Sequence, residues 1–512
     1  MAIRSITEPT LDAAVAAIAV DNPATGAPIT DVPTTSPDGV RAAVAAARKA
    51  QPRWQALGFR RRRALFHTSQ QWFLDNRQRV LDSIVAENGK AEEEAVVEFI
   101  YCVSAFSFWS RRAKGFLKDR SVRSASPFVF GRGMHTRRAP LGVIGVIGPW
   151  NNPLINSFGD AIPALAAGNA VVLKPSEQTP LTALLMLEMA RDCGYPDDVF
   201  QVVTGAAATG EALIDEADFV MFTGSTRTGR RVAARAAERL IPSSLELGGK
   251  DALIVLADAP LERAVNVAVH GALFNGGQTC TSVERVYVEA GIYDRFLTAV
   301  AQRVGEIRAG VPAGLGSVDV GAMTFPPQLD IVDDHVRDAV ARGARVLAGG
   351  KRGEGPGRFY EPTLLVDVDH SMKCMREETF GPTLPIMKVR DAEEAVRLVN
   401  DSEYGLQASI ITGDAHRGRR LAARLEAGAV TVNDAQSNYL ALGLPMGGWK
   451  NSGLGVRHGA EGIRKYTKLQ SISVNSHPTR RDPHMMPFEP SSYRLILKLV
   501  GFLYGRYKAR RS

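Results

Sequence analysis

The chain has 512 residues, 45% of them hydrophobic and 23% charged, an ordinary composition for a soluble enzyme and enough for two or three domain cores. Four cysteines, Cys102, Cys193, Cys280 and Cys374, lie far apart with no Cys-x-x-Cys pair, which argues against a disulfide framework and a zinc site and suits a reducing cytoplasm. The net charge is +8, but from His477 onward eight Lys/Arg face two Asp/Glu, so six of those charges lie there and the main body shows no sign of binding nucleic acid.

Met1-Ala2-Ile3-Arg4 opens no long apolar run with a small-residue cleavage site, so no signal peptide is expected. Residues 36–122 read mainly as helices. Val40, Val44 and Ala47 recur at helical spacing, and Thr35-Ser36-Pro37-Asp38 is the expected cap. The run Arg60-Arg61-Arg62-Arg63 predicts a solvated helix face, because Leu65 and Phe66 follow at once. Residues 99–116, with Tyr101, Phe106, Phe108 and Trp109, predict core, leaving one or two rings to line a tunnel. The polar, basic stretch 121–139 predicts an edge hairpin standing off the body.

From residue 141 the texture changes. Strands are predicted over 142–147, 170–173, 200–203 and 219–222, with helices over 161–167 and 181–191 between them. Alternating strands and helices imply a parallel α/β sheet with ligands beyond the strand C-termini. A second α/β pattern follows residue 250. Strands are expected over 251–256, 283–289, 364–367, 384–389 and 408–412, and helices over 261–273, 392–400 and 415–425.

Phe274-Asn275-Gly276-Gly277-Gln278-Thr279-Cys280 is the stretch around which the chain is organised. Paired glycines suit a loop that approaches a ligand closely. A cysteine there is either a small buried hydrophobe or a nucleophile. A nucleophile needs oxyanion donors and a base. Asn151, on the loop after a strand, could donate through its amide, and Glu246, before Gly248-Gly249, could be the base. Thr223-Gly224-Ser225-x-x-x-Gly229, between strand and helix, could hold an anion on backbone N–H groups. Lys174 and Glu177, after another strand, could bond ribose hydroxyls.

These pieces resemble the aldehyde dehydrogenase superfamily from about Asn22 to Thr467. The matching motifs are Gly148-Pro149-Trp150-Asn151, Lys174-Pro175-Ser176-Glu177, Phe222-Thr223-Gly224-Ser225-x-x-x-Gly229, Leu245-Glu246-Leu247-Gly248-Gly249-Lys250, Phe274-x-x-Gly277-Gln278-x-Cys280, Glu377-Glu378-x-Phe380-Gly381-Pro382 and Pro445-Met446-Gly447-Gly448-x-Lys450-x-Ser452-Gly453, in the family's order. The resemblance implies a Rossmann-type cofactor domain (1–121 and 141–247), an α/β catalytic domain (248–448), an oligomerisation segment (122–140 and 466–490) and a homodimer or homotetramer. It implies that Cys280 attacks the aldehyde, that Asn151 and the Cys280 N–H hold the oxyanion, and that Glu246 activates water. Lys174 and Glu177 would hold the adenosine ribose, Ser225 and Trp150 would lie near the pyrophosphate, and Glu378 and Phe380 would position the nicotinamide end. Packing alone remains the other reading for Trp150, helix–strand approach for Gly229 and an ion pair for Glu378.

Glu246 favours hydrolysis to a free acid over transfer to coenzyme A. A carboxylate at Glu177 favours NAD and repels the 2′-phosphate of NADP, although Lys174 and Ser176 leave NADP open. Asn152 stands where many relatives carry an aromatic residue, and Gly159-Asp160 where many carry tryptophan and lysine, which implies a wider, more polar tunnel wall. The texture is similar to actinobacterial succinate-semialdehyde dehydrogenases, yet no cation for a substrate carboxylate is placed, and Arg285 reads as structural. Residues 491–512 predict a basic amphipathic helix, either packed on a subunit or lying on an anionic membrane surface. Two readings from other classes stay open, a catalytically silent scaffold and a membrane-recruited binding module.

Overall fold

The computed structural model describes residues 17–123, 126, 129 and 131–505. The expectations for residues 1–16 and for the helix beyond residue 505 lie outside the described residues. Strands β1 (Ala17–Asp21) and β2 (Pro28–Pro33) form an antiparallel pair. Four helices follow, α1 (Pro37–Ala56), α2 (Gly58–Asp75), α3 (Arg77–Asn88) and α4 (Glu92–Leu117). Ser36 caps α1 as expected, its side chain accepting from the Gly39 N–H at 3.2 Å. The aromatic stripe of α4 is core, with Phe99, Tyr101, Phe106 and Trp109 all buried. One expectation fails in α2. Arg62 is buried rather than solvated, and its Nη1 donates to the Trp54 and Gln55 carbonyls at the end of α1. Carbonyls in the last turn of a helix carry partial negative charge, and a cation is favoured there.

Strands β3 (Arg120–Ser121) and β4 (Gly133–Pro140) lead into β5 (Val143–Ile147), α5 (Gly159–Ala167), β6 (Ala170–Lys174), α6 (Leu181–Asp192), β7 (Phe200–Val202), α7 (Ala207–Glu216), β8 (Phe219–Thr223), α8 (Thr226–Glu238) and β9 (Ser243–Glu246). A short π-helical turn, Leu154–Phe158, runs straight into α5. Beyond β9 come β10 (Asp251–Val255), α9 (Leu261–Leu273), β11 (Val283–Glu289), α10 (Tyr293–Gly305), α11 (Gln328–Ala341), β12 (Arg345–Ala348), β13 (Thr363–Val366), α12 (Lys373–Arg376), β14 (Thr383–Val389), α13 (Ala392–Asn400), β15 (Tyr404–Gly405), β16 (Gln407–Ile411), α14 (Ala415–Ala422) and β17 (Ala429–Val432). The last elements are α15 (Ser437–Leu440), β18 (Trp449–Lys450), β19 (Gly453–Leu454), α16 (Gly459–Arg464), β20 (Thr467–Val474) and α17 (Pro490–Tyr504).

Two sheets organise the body. The first has the order β19-β9-β8-β5-β6-β7, with β9, β8, β5, β6 and β7 parallel. From β5 the chain steps outward to β6 and β7, then returns to β8 and β9 on the other side. The order therefore reverses between β5 and β8, and ligands bind at the carboxyl ends of strands flanking such a switch. Strands β5, β6 and β8 are buried throughout, as helices on both faces require. The second sheet has the order β12-β13-β14-β11-β10-β16-β17 and carries the Cys280 loop between α9 and β11.

A third sheet corrects the expected hairpin. β4 pairs with only two residues of β3, while its main partner is β20, joined over eight residue pairs from Thr467–Pro140 to Val474–Gly133. The segment is closed by chain more than 300 residues away, which no local turn signal announces.

Candidate active site

The carboxyl ends of four parallel neighbours bring the expected residues to one edge. β5 delivers Trp150 and Asn151, β6 ends in Lys174, β8 leads into Gly224 and Ser225, and β9 ends in Glu246. Ser225 caps α8, its Oγ accepting from the Thr228 N–H at 3.3 Å. The N-terminus of α8 therefore opens at the switch point, where backbone N–H groups and the helix dipole favour a pyrophosphate. The buried Lys174 Nζ donates to the Pro175 and Gly205 carbonyls at 2.7 Å each and lies 3.7 Å from Glu177, whose side chain is partly exposed. This cation, carboxylate and helix N-terminus fit a dinucleotide laid across the strand ends.

Cys280 sits on a loop whose backbone only a short, glycine-rich sequence can follow. Asn275, Gly276 and Gly277 all have positive φ, at 55°, 58° and 71°. The buried Glu94 of α4 accepts the Asn275 N–H. Gln278 is braced on both sides, donating to the Asn275 carbonyl at 3.0 Å and accepting from the Thr324 N–H at 2.8 Å. The thiol is half-buried against the cluster of Leu406, Ala429 and Met446, on which Tyr439 also packs. Cys102, Cys193 and Cys374 are buried.

Asn151 reaches this loop. Its Nδ2 donates to the Gln278 carbonyl at 2.8 Å, and its own carbonyl accepts from Asn275 Nδ2 at 3.0 Å. The loop carrying Trp150 to Asn152 rests on charges that the sequence reading did not single out. Lys90 Nζ, fully buried, donates to Glu98 at 2.7 Å, to the Asn151 carbonyl at 2.9 Å and to Asn152 Oδ1 at 2.9 Å. Asn152 is thus a buried acceptor, while Tyr101 fills the space beside Gly159, where a Cβ would stand 2.9 Å from its ring.

Glu246 approaches from the other side. The Gly248-Gly249 pair after it has no room for side chains, since a Cβ on Gly249 would lie 2.6 Å from the Cys280 carbonyl oxygen and one on Gly248 would lie 2.3 Å from Glu378 Oε2. One close approach thereby joins the segments of Glu246, Cys280 and Glu378. Glu378 Oε1 accepts the Gly249 N–H at 2.9 Å. Phe380, at φ 51°, is held by its N–H on Glu284 Oε1 at 2.8 Å, and Glu284 is itself paired with Lys250 at 2.5 Å in the core. The Trp150 ring stacks on Phe325 and meets Phe380 edge-on at 5.3 Å, so packing accounts for part of its role. Gly229 packs on Leu247, where a Cβ would stand 2.3 Å from Cδ2, and this serves helix–strand approach.

The electrostatics centre on Arg457 and Asp160. The guanidinium donates to Asp160 through Nε at 3.1 Å and Nη2 at 2.8 Å, and also meets Asn156, Thr223 and the Tyr439 ring. Both residues are buried, and against the pull of burial Asp160 holds Arg457 charged. Burial pushes Glu246 up to about 7, with Arg457 and Lys465 pulling the other way. Its Oε1 meets no hydrogen-bond donor among the described residues. Burial likewise pushes the Cys280 thiol up to about 12, opposed by Arg457. Burial and the neighbouring Glu284 push Glu378 up to about 8. Arg285 is structural, bonding the Lys250, Leu398 and Val399 carbonyls inside the core.

The sequence pattern of the aldehyde dehydrogenase family matches residues 11–472. A Mycobacterium ulcerans protein named as a succinate-semialdehyde dehydrogenase [NADP(+)] is 42% identical over 459 residues, covering 89% of this chain and 88% of its own. A Methylomonas protein named 4,4'-diapolycopene aldehyde oxidase is 39% identical over 492 residues, covering 95% and 91%. The solved structure of a Mycobacterium tuberculosis aldehyde dehydrogenase complexed with NAD+ superposes with a TM-score of 0.86 at 32% identity, covering 92% of this chain and 97% of its own. With its cysteine loop set against a Rossmann-type sheet and this likeness along nearly its whole length, the chain belongs to the aldehyde dehydrogenase family and oxidises aldehydes to acids with NAD(P).

Proposed function

We propose that the chain oxidises an uncharged aldehyde, with Cys280 as nucleophile and Glu246 as the base that releases the acid. The observation that carries the substrate class is the bidentate Asp160–Arg457 pair: the cation whose charge acts on the cysteine is already neutralised, and Cys280 packs against the apolar cluster Leu406, Ala429 and Met446. A carboxylate-bearing substrate would need a free cation there.

In this reading Cys280 Sγ adds to the aldehyde carbon as its S–H proton passes to Glu246 and on to solvent. The Asn151 amide, already turned to the Cys280 loop, and the Cys280 N–H stabilise the oxyanion. NAD(P)+ bound at the strand ends would supply the hydride acceptor. Glu246 then takes a proton from the water that cleaves the thioester, a task suited to a carboxyl raised to about 7 with one unpartnered oxygen. Lys174 and Glu177 hold the adenosine ribose, Gly224, Ser225 and Trp150 flank the pyrophosphate, and Glu378 and Phe380 orient the nicotinamide end. NAD is preferred, since Glu177 beside Lys174 repels a 2′-phosphate. Residues 1–121 and 141–247 bind the cofactor, 248–448 carry the cysteine, and 122–140 with 466–490 join subunits into a homodimer or homotetramer in the cytoplasm. No observation favours the silent-scaffold reading.

A second reading, succinate semialdehyde, draws on the name of the Mycobacterium ulcerans relative. Specificity constants for succinate semialdehyde and pentanal, which differ mainly in the carboxylate, separate the two. Pentanal should be used at least as well. A preference of about a hundredfold or more for succinate semialdehyde overturns the proposal.

A further inference from the structure

Helix α17 adds no residue to the buried cores of the chain. None of its residues is buried, and Leu495, Leu499 and Leu503 are 67%, 45% and 52% exposed. Their spacing of four places them on one face. Arg494 and Lys498, one residue earlier in each turn, form an exposed cationic stripe along its flank. Just upstream, Met486 and Phe488 are also exposed. The segment is tethered beside β4 by Arg132 Nη2 on Asp482 at 2.8 Å. From Pro490 to Ser512 the sequence has six Lys/Arg and no Asp or Glu.

We propose that α17 docks the enzyme in the plane of an anionic lipid surface. An apolar stripe with a basic flank is the pattern of an interfacial helix, the leucines entering the acyl boundary and the cations meeting phosphate headgroups. Fifteen residues span about 22 Å, short of the hydrocarbon core. No helix among the described residues is long and apolar enough to cross a membrane, so the helix lies in the surface. Charge selects lipid over a second copy of the helix, because pairing two copies would bring cations to cations. Docking through α17 is independent of which aldehyde is oxidised.

Flotation of the full-length enzyme with vesicles tests it, using phosphatidylcholine alone or mixed with phosphatidylglycerol. The full chain should float with the mixed vesicles only and be released by high salt. R494Q/K498Q should weaken that binding about 30-fold, and L495S/L499S or truncation after Glu489 should abolish it. Aldehyde oxidation in solution should be unchanged in all three, which verifies the fold. Equal flotation of full-length and truncated chains, or equal binding to both vesicle types, overturns the proposal. So does absence of flotation. If truncation also lowers the solution mass, a second copy covers the helix instead.

Discussion

Replacing Glu246 by Gln removes a charge from a place where burial disfavours one. The carboxyl is raised from its usual 4.5 to about 7. Below 4.5 the folded and unfolded chains are both protonated, and the group leaves stability unchanged. As pH rises from 4.5 to about 7 the unfolded chain ionises first, so the folded state becomes progressively less favoured. Above about 7 the penalty is constant. At about 1.4 kcal/mol per pH unit its ceiling is about 3 kcal/mol. Urea midpoints of wild type and Glu246→Gln should therefore differ least near pH 4.5 and diverge up to about pH 7, with the glutamine variant the more stable at the upper end. The same variant should give a burst of NADH followed by slow turnover. A stability difference that does not change with pH, or a less stable variant at pH 8, refutes the desolvated-base argument.

Other changes test the surroundings. Asp160→Ala leaves Arg457 buried and uncompensated, which should cost about 3–5 kcal/mol in unfolding free energy, whereas pairing it with Arg457→Met should recover much of that loss. Glu177→Ser should shift the ratio of kcat/KM for NADP over NAD upward about tenfold or more, as expected when a like charge is removed near a phosphate; an unchanged ratio contradicts the assignment. Gly229→Ala forces a methyl against Leu247 and should lower stability by about 1–3 kcal/mol while leaving the KM for NAD close to wild type.

The strongest periodic elements were legible in the sequence. The helices over 261–273 and 392–400 and the strand over 283–289 match their predicted bounds. Their apolar residues recur with the period of the element, so local pattern and final packing agree. α7, α10 and α11 went unassigned. The Cys280 loop was legible because two adjacent glycines mark a backbone that other residues disfavour. What the sequence concealed is the buried charge. Lys90, Glu94, Glu98 and Glu284 look like ordinary surface residues, yet each holds a site loop through hydrogen bonds to backbone groups or to Asn152. Arg457 was missed for the same reason. Its partner Asp160 lies 297 residues away, and no spacing rule links the two. In the sequence Asp160 reads only as part of a more polar tunnel wall, and the structure turns it into half of a neutral pair.

Acid-quenching the Glu246→Gln enzyme after mixing with aldehyde and NAD+ shows whether Cys280 is the covalent nucleophile. Peptide mass spectrometry should find one acyl group per chain, on the peptide containing Cys280 and absent from Cys280→Ala. An unmodified Cys280 peptide alongside a full NADH burst, or an acyl group carried by Cys102, Cys193 or Cys374, contradicts it.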